Sequence, residues 1–377
     1  MDKIEPLLSE LVAINSINPD LVPSGGGEAE IAQFIANWSE QAGLEVHLDE
    51  PVPGRPNVVA IARGSGGGKS LMLNGHMDTV GVEGMAGPHQ PYVKEGRLYG
   101  RGAYDMKAGL AACMSAVKAA KQKQLRGDVI LTAVIDEEYA GVGTRDIAKR
   151  YHAEAAIVAE FTELKLILAH KGFVWLEVET VGVAAHGSRP ELGIDAIAKM
   201  GPMLVELEKL DLALRSHPTH KLLRSGSLHA SLINGGRELS SYPDRCQLSF
   251  ERRTIPGETP DMVEAEVQEI IQRLKRSDPS FKATVRRGID RPPMETPEDS
   301  LIVRTVMEAA TKVLKHVPEL DGVPFWTDAA TLWAAGIPSI LFGPSGAGAH
   351  AIEEWVDLRS VEECAEVYLE TAAEFCK

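Results

Sequence analysis

An α/β domain interrupted by an inserted α+β domain is the architecture this sequence predicts, on three observations. The chain of 377 residues exceeds what one hydrophobic core usually supports, so two domains are expected. Outside its central third, apolar runs of strand length alternate with amphipathic stretches of helix length, as in an α/β sheet. Between residues 173 and 289 the order becomes βαββαβ, that of a ferredoxin-like split βαβ unit.

Each element follows from local pattern. A helix is predicted over 28–42, closed by Gly43, and another over 106–121, where Leu110, Met114 and Val117 share a face. Strands are predicted at Val58–Ala62, Leu71–Leu73, Val129–Ile135, Ala156–Ala159 and Ser339–Phe342. The run Gly64-Ser-Gly-Gly-Gly68 reads as a flexible hairpin connection between the first two. The inserted domain, 173–289, is predicted as strand 173–181, helix 195–210, strands 227–233 and 245–254, helix 260–276 and strand 282–287. Gly172 and Arg291-Pro-Pro293 flank it. Residues 1–172 and 290–377 then form one discontinuous domain, with helices near 298–314 and 359–375.

Composition narrows the function. Acidic residues outnumber basic ones by 54 to 39, a net charge of -15, and no basic stripe offers itself to a phosphate backbone, so nucleic acid is not an expected partner. No apolar run approaches the roughly 18 residues needed to cross a bilayer, and the first residues lack the basic and apolar regions of a secretion signal. A cytoplasmic protein with no membrane partner is the expectation. Cys113, Cys246, Cys364 and Cys376 form no CxxC pair and read as reduced, structural thiols.

The chemistry is concentrated in five segments: Asn74-Gly-His-Met-Asp-Thr-Val80, Gly100-Arg-Gly-Ala-Tyr-Asp-Met-Lys-Ala-Gly109, Asp136-Glu-Glu-Tyr-Ala-Gly141, Val158-Ala-Glu-Phe-Thr162 and Gly348-Ala-His-Ala-Ile-Glu-Glu354. Taken singly, each has an ordinary reading: Asp105 as the N-cap of helix 106–121, His350 as a turn residue, Glu137 and Glu138 as a solvated pair. Their placement argues otherwise. His76, Glu137 with Glu138, Glu160 and His350 each follow a predicted strand, and ligands of open α/β sheets collect beyond the carboxyl ends of strands. Imidazole and carboxylate are the donors expected around zinc, cobalt or manganese.

In this order the segments resemble the M20 metallopeptidases, in the branch of acetylornithine deacetylase, succinyl-diaminopimelate desuccinylase, aminoacylase and carboxypeptidase G. The resemblance spans residues 74 to 354. It implies a mixed-sheet, zinc-peptidase-like catalytic domain, with the inserted ferredoxin-like domain as lid and dimerisation module of a homodimer. It also implies two divalent ions per subunit, zinc first, with cobalt or manganese as alternatives. Asp105 would bridge them, His76 and Glu160 completing one site, Glu138 and His350 the other. Asp78 would hydrogen-bond the His76 imidazole and fix its tautomer, and Glu137 would be the general base.

Further implications fall on the inserted domain and the C-terminal part. Ala184-Ala-His-Gly-Ser-Arg-Pro190 resembles the segment whose histidine, here His186, reaches the partner subunit's site and steadies the oxyanion. Arg253 in Glu251-Arg-Arg253 matches an arginine that grips the substrate carboxylate, with glutamate where the family has aspartate. Ser240-Ser-Tyr-Pro243 stands where the family has Asn-x-x-Pro, which leaves Ser240 at the acyl-substrate position. Phe325-Trp-Thr-Asp-Ala-Ala330 resembles a segment lining the substrate pocket, with Trp326 and Thr327 as its candidates and Asp328 as a cap for the following short helix. The activity expected is removal of the acyl group from an N-acyl amino acid. The alternatives are an exopeptidase acting on short peptides with the same site and a binding protein without catalysis.

Overall fold

The computed structural model describes residues 3–377. It divides into two compact units. One runs through Leu168 and resumes over Thr296–Asp321 and Thr327–Lys377; the other comprises Ala169–Glu295 and Gly322–Trp326.

Helices α1 (Ile4–Ala13) and α2 (Ala29–Gln41) precede strands β1 (Glu45–Val52), β2 (Arg55–Ala62) and β3 (Leu71–His76). Short strands β4 (Tyr92–Lys94) and β5 (Arg97–Tyr99) lead to α3 (Lys107–Lys121), β6 (Val129–Val134), α4 (Val142–Arg150), β7 (Ala155–Val158) and β8 (Leu166–His170). Then come β9 (Gly172–Val181), α5 (Ala196–Ser216), β10 (Ser227–Gly235), β11 (Arg245–Thr254), α6 (Pro260–Ser277), β12 (Ala283–Arg291) and β13 (Met294–Glu295). The chain ends with α7 (Leu301–Leu314), β14 (Leu320–Val323), α8 (Ala329–Ala334), β15 (Ser339–Leu341), β16 (Gly346–Ala347), β17 (Trp355–Asp357) and α9 (Leu358–Phe375).

In the first unit the strand order is β1-β2-β6-β3-β7-β15-β8. Strands β3, β6 and β7 are buried along their whole length, which is why they read as continuous apolar runs rather than alternating ones. The expected hairpin between β2 and β3 is not there: β6 lies between them, antiparallel to β2 and parallel to β3. The glycine run instead packs on the chain that enters β6, with Ser65 N–H donating to Leu125 O and Gly66 N–H to Arg126 O at 2.9 and 2.8 Å. Strand β1, charged and set at the sheet's edge, escaped the pattern because none of its residues is fully buried.

Helix α3 packs against this sheet on small residues. A Cβ added to Gly109 would collide with the carbonyl oxygen of Ala159, one residue before Glu160. At its first turn the buried Lys107 donates from Nζ to Leu11 O and Ile14 O at 2.9 and 2.8 Å, tying α3 to the carboxyl end of α1. Burial brings the Lys107 ammonium down to about 7.

The second unit has the βαββαβ order, and its antiparallel sheet runs β10-β11-β9-β12. Side chains Asp195 and Thr259 cap α5 and α6 by accepting from Ala198 N and Met262 N. Val174, Leu176, Val178, Leu248 and Phe250 face Met200, Met203 and Leu207 of α5 and Val263, Val267 and Ile270 of α6 in one core. By strand alternation the opposite face of the sheet carries Phe173, Trp175, Ser249, Glu251 and Arg253.

The contact at Gly109 makes a stability prediction. Gly109→Ala forces α3 away from β7 and is expected to cost ~1–3 kcal/mol in urea unfolding, despite alanine's better helix propensity. A variant as stable as the parent would show that α3 shifts freely at this point.

Candidate metal centre

Parallel pairing assembles the site. Strand β3 pairs in parallel with β6 and β7, and β7 with β15, so their carboxyl ends share one edge. His76 ends β3, Glu137 and Glu138 follow β6, Glu160 follows β7, and His350 lies beyond β15 between β16 and β17.

Asp105 arrives by another route. Strand β5 pairs with β17, Tyr99 opposite Trp355, which ties the segment leading to Asp105 to the segment leaving His350. Glu354 locks that tie. Its buried carboxylate accepts the N–H groups of Gly102, Tyr104 and Asp105 at 2.9, 2.8 and 3.0 Å and Nη1 of Arg101 at 2.7 Å. Sequence reasoning gave Glu354 no role, since its partners lie some 250 residues earlier and no local spacing signals them. Asp105 is not the N-cap it resembled: the residue before α3 is Met106, and no side chain caps the helix. Both oxygens of Asp105 face the cluster instead.

The imidazoles define the centre. His76 Nδ1 lies 2.9 Å from the carbonyl oxygen of Asp78, an acceptor only, so Nδ1 carries a hydrogen and Nε2 is the nitrogen turned to the cluster. It faces Asp105 Oδ1 at 3.2 Å, Glu160 Oε1 at 3.7 Å and Glu137 Oε2 at 3.9 Å. His350 Nε2 stands 3.1 Å from Glu138 Oε2 and 3.3 Å from Asp105 Oδ2. Each imidazole meets its carboxylates through a position that a proton fills in the metal-free protein and that a cation would take over. In addition, Glu138 Oε1 is buried with no hydrogen-bond partner among the described residues. One ligand atom each from His76, Glu137 and Glu160 lies within 4.8 Å of the others, and the same holds for His76, Asp105 and Glu138. This donor set fits divalent cations.

The tautomer of His76 is set by a carbonyl rather than by the expected carboxylate, whose nearer oxygen is 3.6 Å from Nδ1. The Asp78 side chain aims the acidic pair: Oδ1 accepts from Glu137 N at 3.1 Å and Oδ2 from Glu138 N at 3.2 Å and from Asn18 Nδ2 at 2.8 Å. Asn18 also donates to Asp136 Oδ1 at 3.1 Å. Behind it Arg55 grips Glu28 at 2.7 and 2.6 Å and Asp20 at 2.6 Å.

Electrostatics follow from crowding. Burial, opposed in part by His76, drives Glu160 up to about 8, and burial with the field of Asp105 takes Glu138 to about 7. Burial likewise pushes Glu137 well above the usual range. Hydrogen bonds to Asp105 and Glu138 raise His350 to about 10. Asp105 is held low although burial opposes its charge, because both imidazoles hydrogen-bond to it.

The remaining candidates lie outside this cluster. Arg253 donates from Nε to Glu251 Oε1 at 2.6 Å. His186 is exposed, its Nδ1 2.8 Å from Ser188 Oγ, and Ser240 contributes a carbonyl to Gly187 N at 2.7 Å. Trp326 meets His170 edge-on at 6.4 Å. Thr327 is buried, its hydroxyl accepting from Ala329 N at 3.3 Å. It is thus Thr327, not the expected Asp328, whose side chain serves the start of α8; Asp328 instead accepts from Thr144 Oγ1 at 2.7 Å.

The sequence matches Peptidase family M20/M25/M40 over residues 72–374. It is 31% identical over 381 residues to the N-formyl-4-amino-5-aminomethyl-2-methylpyrimidine deformylase of Bacillus subtilis, covering 92% of this chain and 89% of that one. It is 31% identical over 388 residues to the acetylornithine deacetylase of Myxococcus xanthus, covering 98% and 96%. The fold is similar to that of the aminopeptidase PepT from Bacillus cereus, with a TM-score of 0.83 at 19% identity over 100% of this chain and 99% of that one.

The crowded site makes metal-free protein sensitive to pH. Glu138 and Glu160 are raised from 4.5 and His350 from 6.5. Their stabilising contribution is therefore full below the unfolded values and is lost as pH climbs through about 7, 8 and 10. The Tm of chelated protein is expected to fall across this window, and added divalent ions to restore it by a gain that grows with pH. A metal-induced gain independent of pH would contradict the charge balance described here.

Proposed function

Because the chain belongs to Peptidase family M20/M25/M40, we propose that it removes the acyl group from an N-acyl amino acid, with His76, Asp105, Glu138, Glu160 and His350 holding two divalent ions and Glu137 acting as general base. The chain is a hydrolase of amide or peptide bonds. One observation supports the rest: the two oxygens of Asp105 turn to different imidazoles, at 3.2 and 3.3 Å, as a carboxylate shared between two ions would. The deacetylase and deformylase relatives, at 31% identity, favour acyl transfer to water over peptide trimming.

Two divalent ions held by these residues would supply a sink for the oxyanion's charge and lower the pKa of the attacking water. Glu137 takes the proton from that water as it adds to the carbonyl carbon. It then delivers the proton to the amide nitrogen as the C–N bond breaks, releasing the acid and the free amine. Burial raises the affinity of Glu137 for that proton, and Asp78, through the Glu137 and Glu138 amides, keeps base and ligand apart. Arg253 would take the substrate carboxylate, Ser240, Trp326 and Thr327 lining the pocket. We assign zinc as the resident ion, with cobalt or manganese compatible with the same donors. The four buried free thiols support a cytoplasmic location.

We also propose a homodimer in which His186 serves the partner's site. Glu137→Gln should retain two metal equivalents while turnover falls by about 10² to 10⁴, read by elemental analysis and by hydrolysis of N-acetyl, N-formyl, N-succinyl and dipeptide substrates. Near-normal turnover would place the base elsewhere, and cleavage of dipeptides alone would replace the deacylase with an exopeptidase. For His186, heterodimers of Glu137→Gln and His186→Ala chains, co-expressed with two tags, combine both lesions in one site and neither in the other. Random pairing in equal amounts should leave about one quarter of all sites working. Heterodimers no more active than the parent variants would refute the shared site.

A further inference from the structure

The open face of the second unit's sheet sets a cation beside a pair of rings. On paired strands β9 and β11, Phe173 stands opposite Arg253 and Trp175 opposite Glu251. The two ring centroids are 5.4 Å apart, and the Arg253 guanidinium carbon lies 5.3 Å from the Phe173 centroid. Glu251 pins both partners: Oε1 accepts from Arg253 Nε at 2.6 Å and Oε2 from Trp175 Nε1 at 2.8 Å. Glu251 is only 8% exposed, so it is a buried fixture rather than a surface charge.

Two consequences follow. Glu251 engages only Nε of Arg253, which leaves the terminal nitrogens of the fork for a bidentate carboxylate. Trp175, with its N–H tied down, keeps 44% of its surface exposed and lines a cavity of about 560 Å³ with Leu232, Ser249 and Arg286. A large indole held rigid and left uncovered contributes little to the sheet and offers a prepared apolar wall.

We propose that Phe173 and Trp175 form a specificity subsite for an aromatic side chain on the amino-acid half of the substrate, adjoining the carboxylate held by Arg253. In an aromatic amino acid the ring hangs two carbons from the carboxylate, a reach comparable with the 5.3 Å between the guanidinium and the first ring. Ring-on-ring contact then adds to apolar burial and favours aromatic over small side chains. Glu251 is a positioning residue, acting through the two groups it orients. This inference rests on the deacylase reading for the orientation of the substrate.

The test compares metal-loaded protein on N-acetylphenylalanine and N-acetylalanine, and in parallel on glycylphenylalanine and glycylalanine. The parent should prefer the aromatic member of whichever pair it hydrolyses. Trp175→Ala should lower the aromatic-to-alanine ratio of kcat/KM by about tenfold, and Trp175→Phe should keep most of it. Glu251→Gln should raise KM for the aromatic substrate with kcat little changed. If circular dichroism shows that Trp175→Ala does not fold, Phe173→Leu, which keeps the volume without the ring, is measured for the same loss. A ratio unchanged by loss of a ring overturns the subsite and leaves the deacylase reading intact. Hydrolysis of the dipeptides alone overturns the deacylase reading while the ratio still decides the subsite; where neither pair is hydrolysed the N-formyl and N-succinyl pairs of the same amino acids are measured, and hydrolysis of none of them overturns both.

Discussion

Two imidazole nitrogens turned into a cluster of buried carboxylates organise this molecule. His76 offers Nε2 to three carboxylates within 3.9 Å, and His350 offers its own to two. Such a cluster is stable only with positive charge inside it, because burying uncompensated carboxylates is costly. The protein supplies its own cations around the periphery, Arg101 to Glu354 and Arg55 to Glu28 and Asp20, but none of these inserts between the imidazoles and their carboxylates. The peripheral pairs hold the framework rigid, and the centre is left for cations that the sequence does not encode.

The framework gives this centre its precision. Strands β3, β6, β7 and β15 fix three of the segments by parallel pairing, and the apolar length of those strands fixes where each polar residue emerges. Asp78 then sets the acidic pair by accepting the N–H groups of Glu137 and Glu138. Both adjacent residues are thereby held in fixed positions, as the proposed division into ligand and base requires.

Much of this was legible in the sequence. Apolar runs located the strands of the large sheet, and the polar residues just beyond them located the centre. The βαββαβ order of the second unit followed from the succession of strand-like and helix-like stretches. What escaped depends on partners distant in sequence. The glycine run at 64–68 suggested a hairpin, because nothing local tells that β6 will pass between β2 and β3. Glu354 looked like one more acidic residue, because its four donors lie at 101–105. Asp105 resembled a helix cap, and only the β5–β17 pairing shows why its carboxylate turns away from α3.

That pairing also bears on how the protein is made. A chain emerging from the ribosome presents His76, Asp105, Glu138 and Glu160 long before residues 346–357 exist, and contacts of such sequence separation form late. Until β17 reaches β5 and Glu354 reaches the Gly102 and Asp105 amides, the first four donors lack both the anchor that orients Asp105 and the second imidazole. A nascent chain can thus gather these acidic side chains before His350 and Glu354 complete the centre. The centre is therefore closed last, at β17, whichever of its earlier segments has folded first.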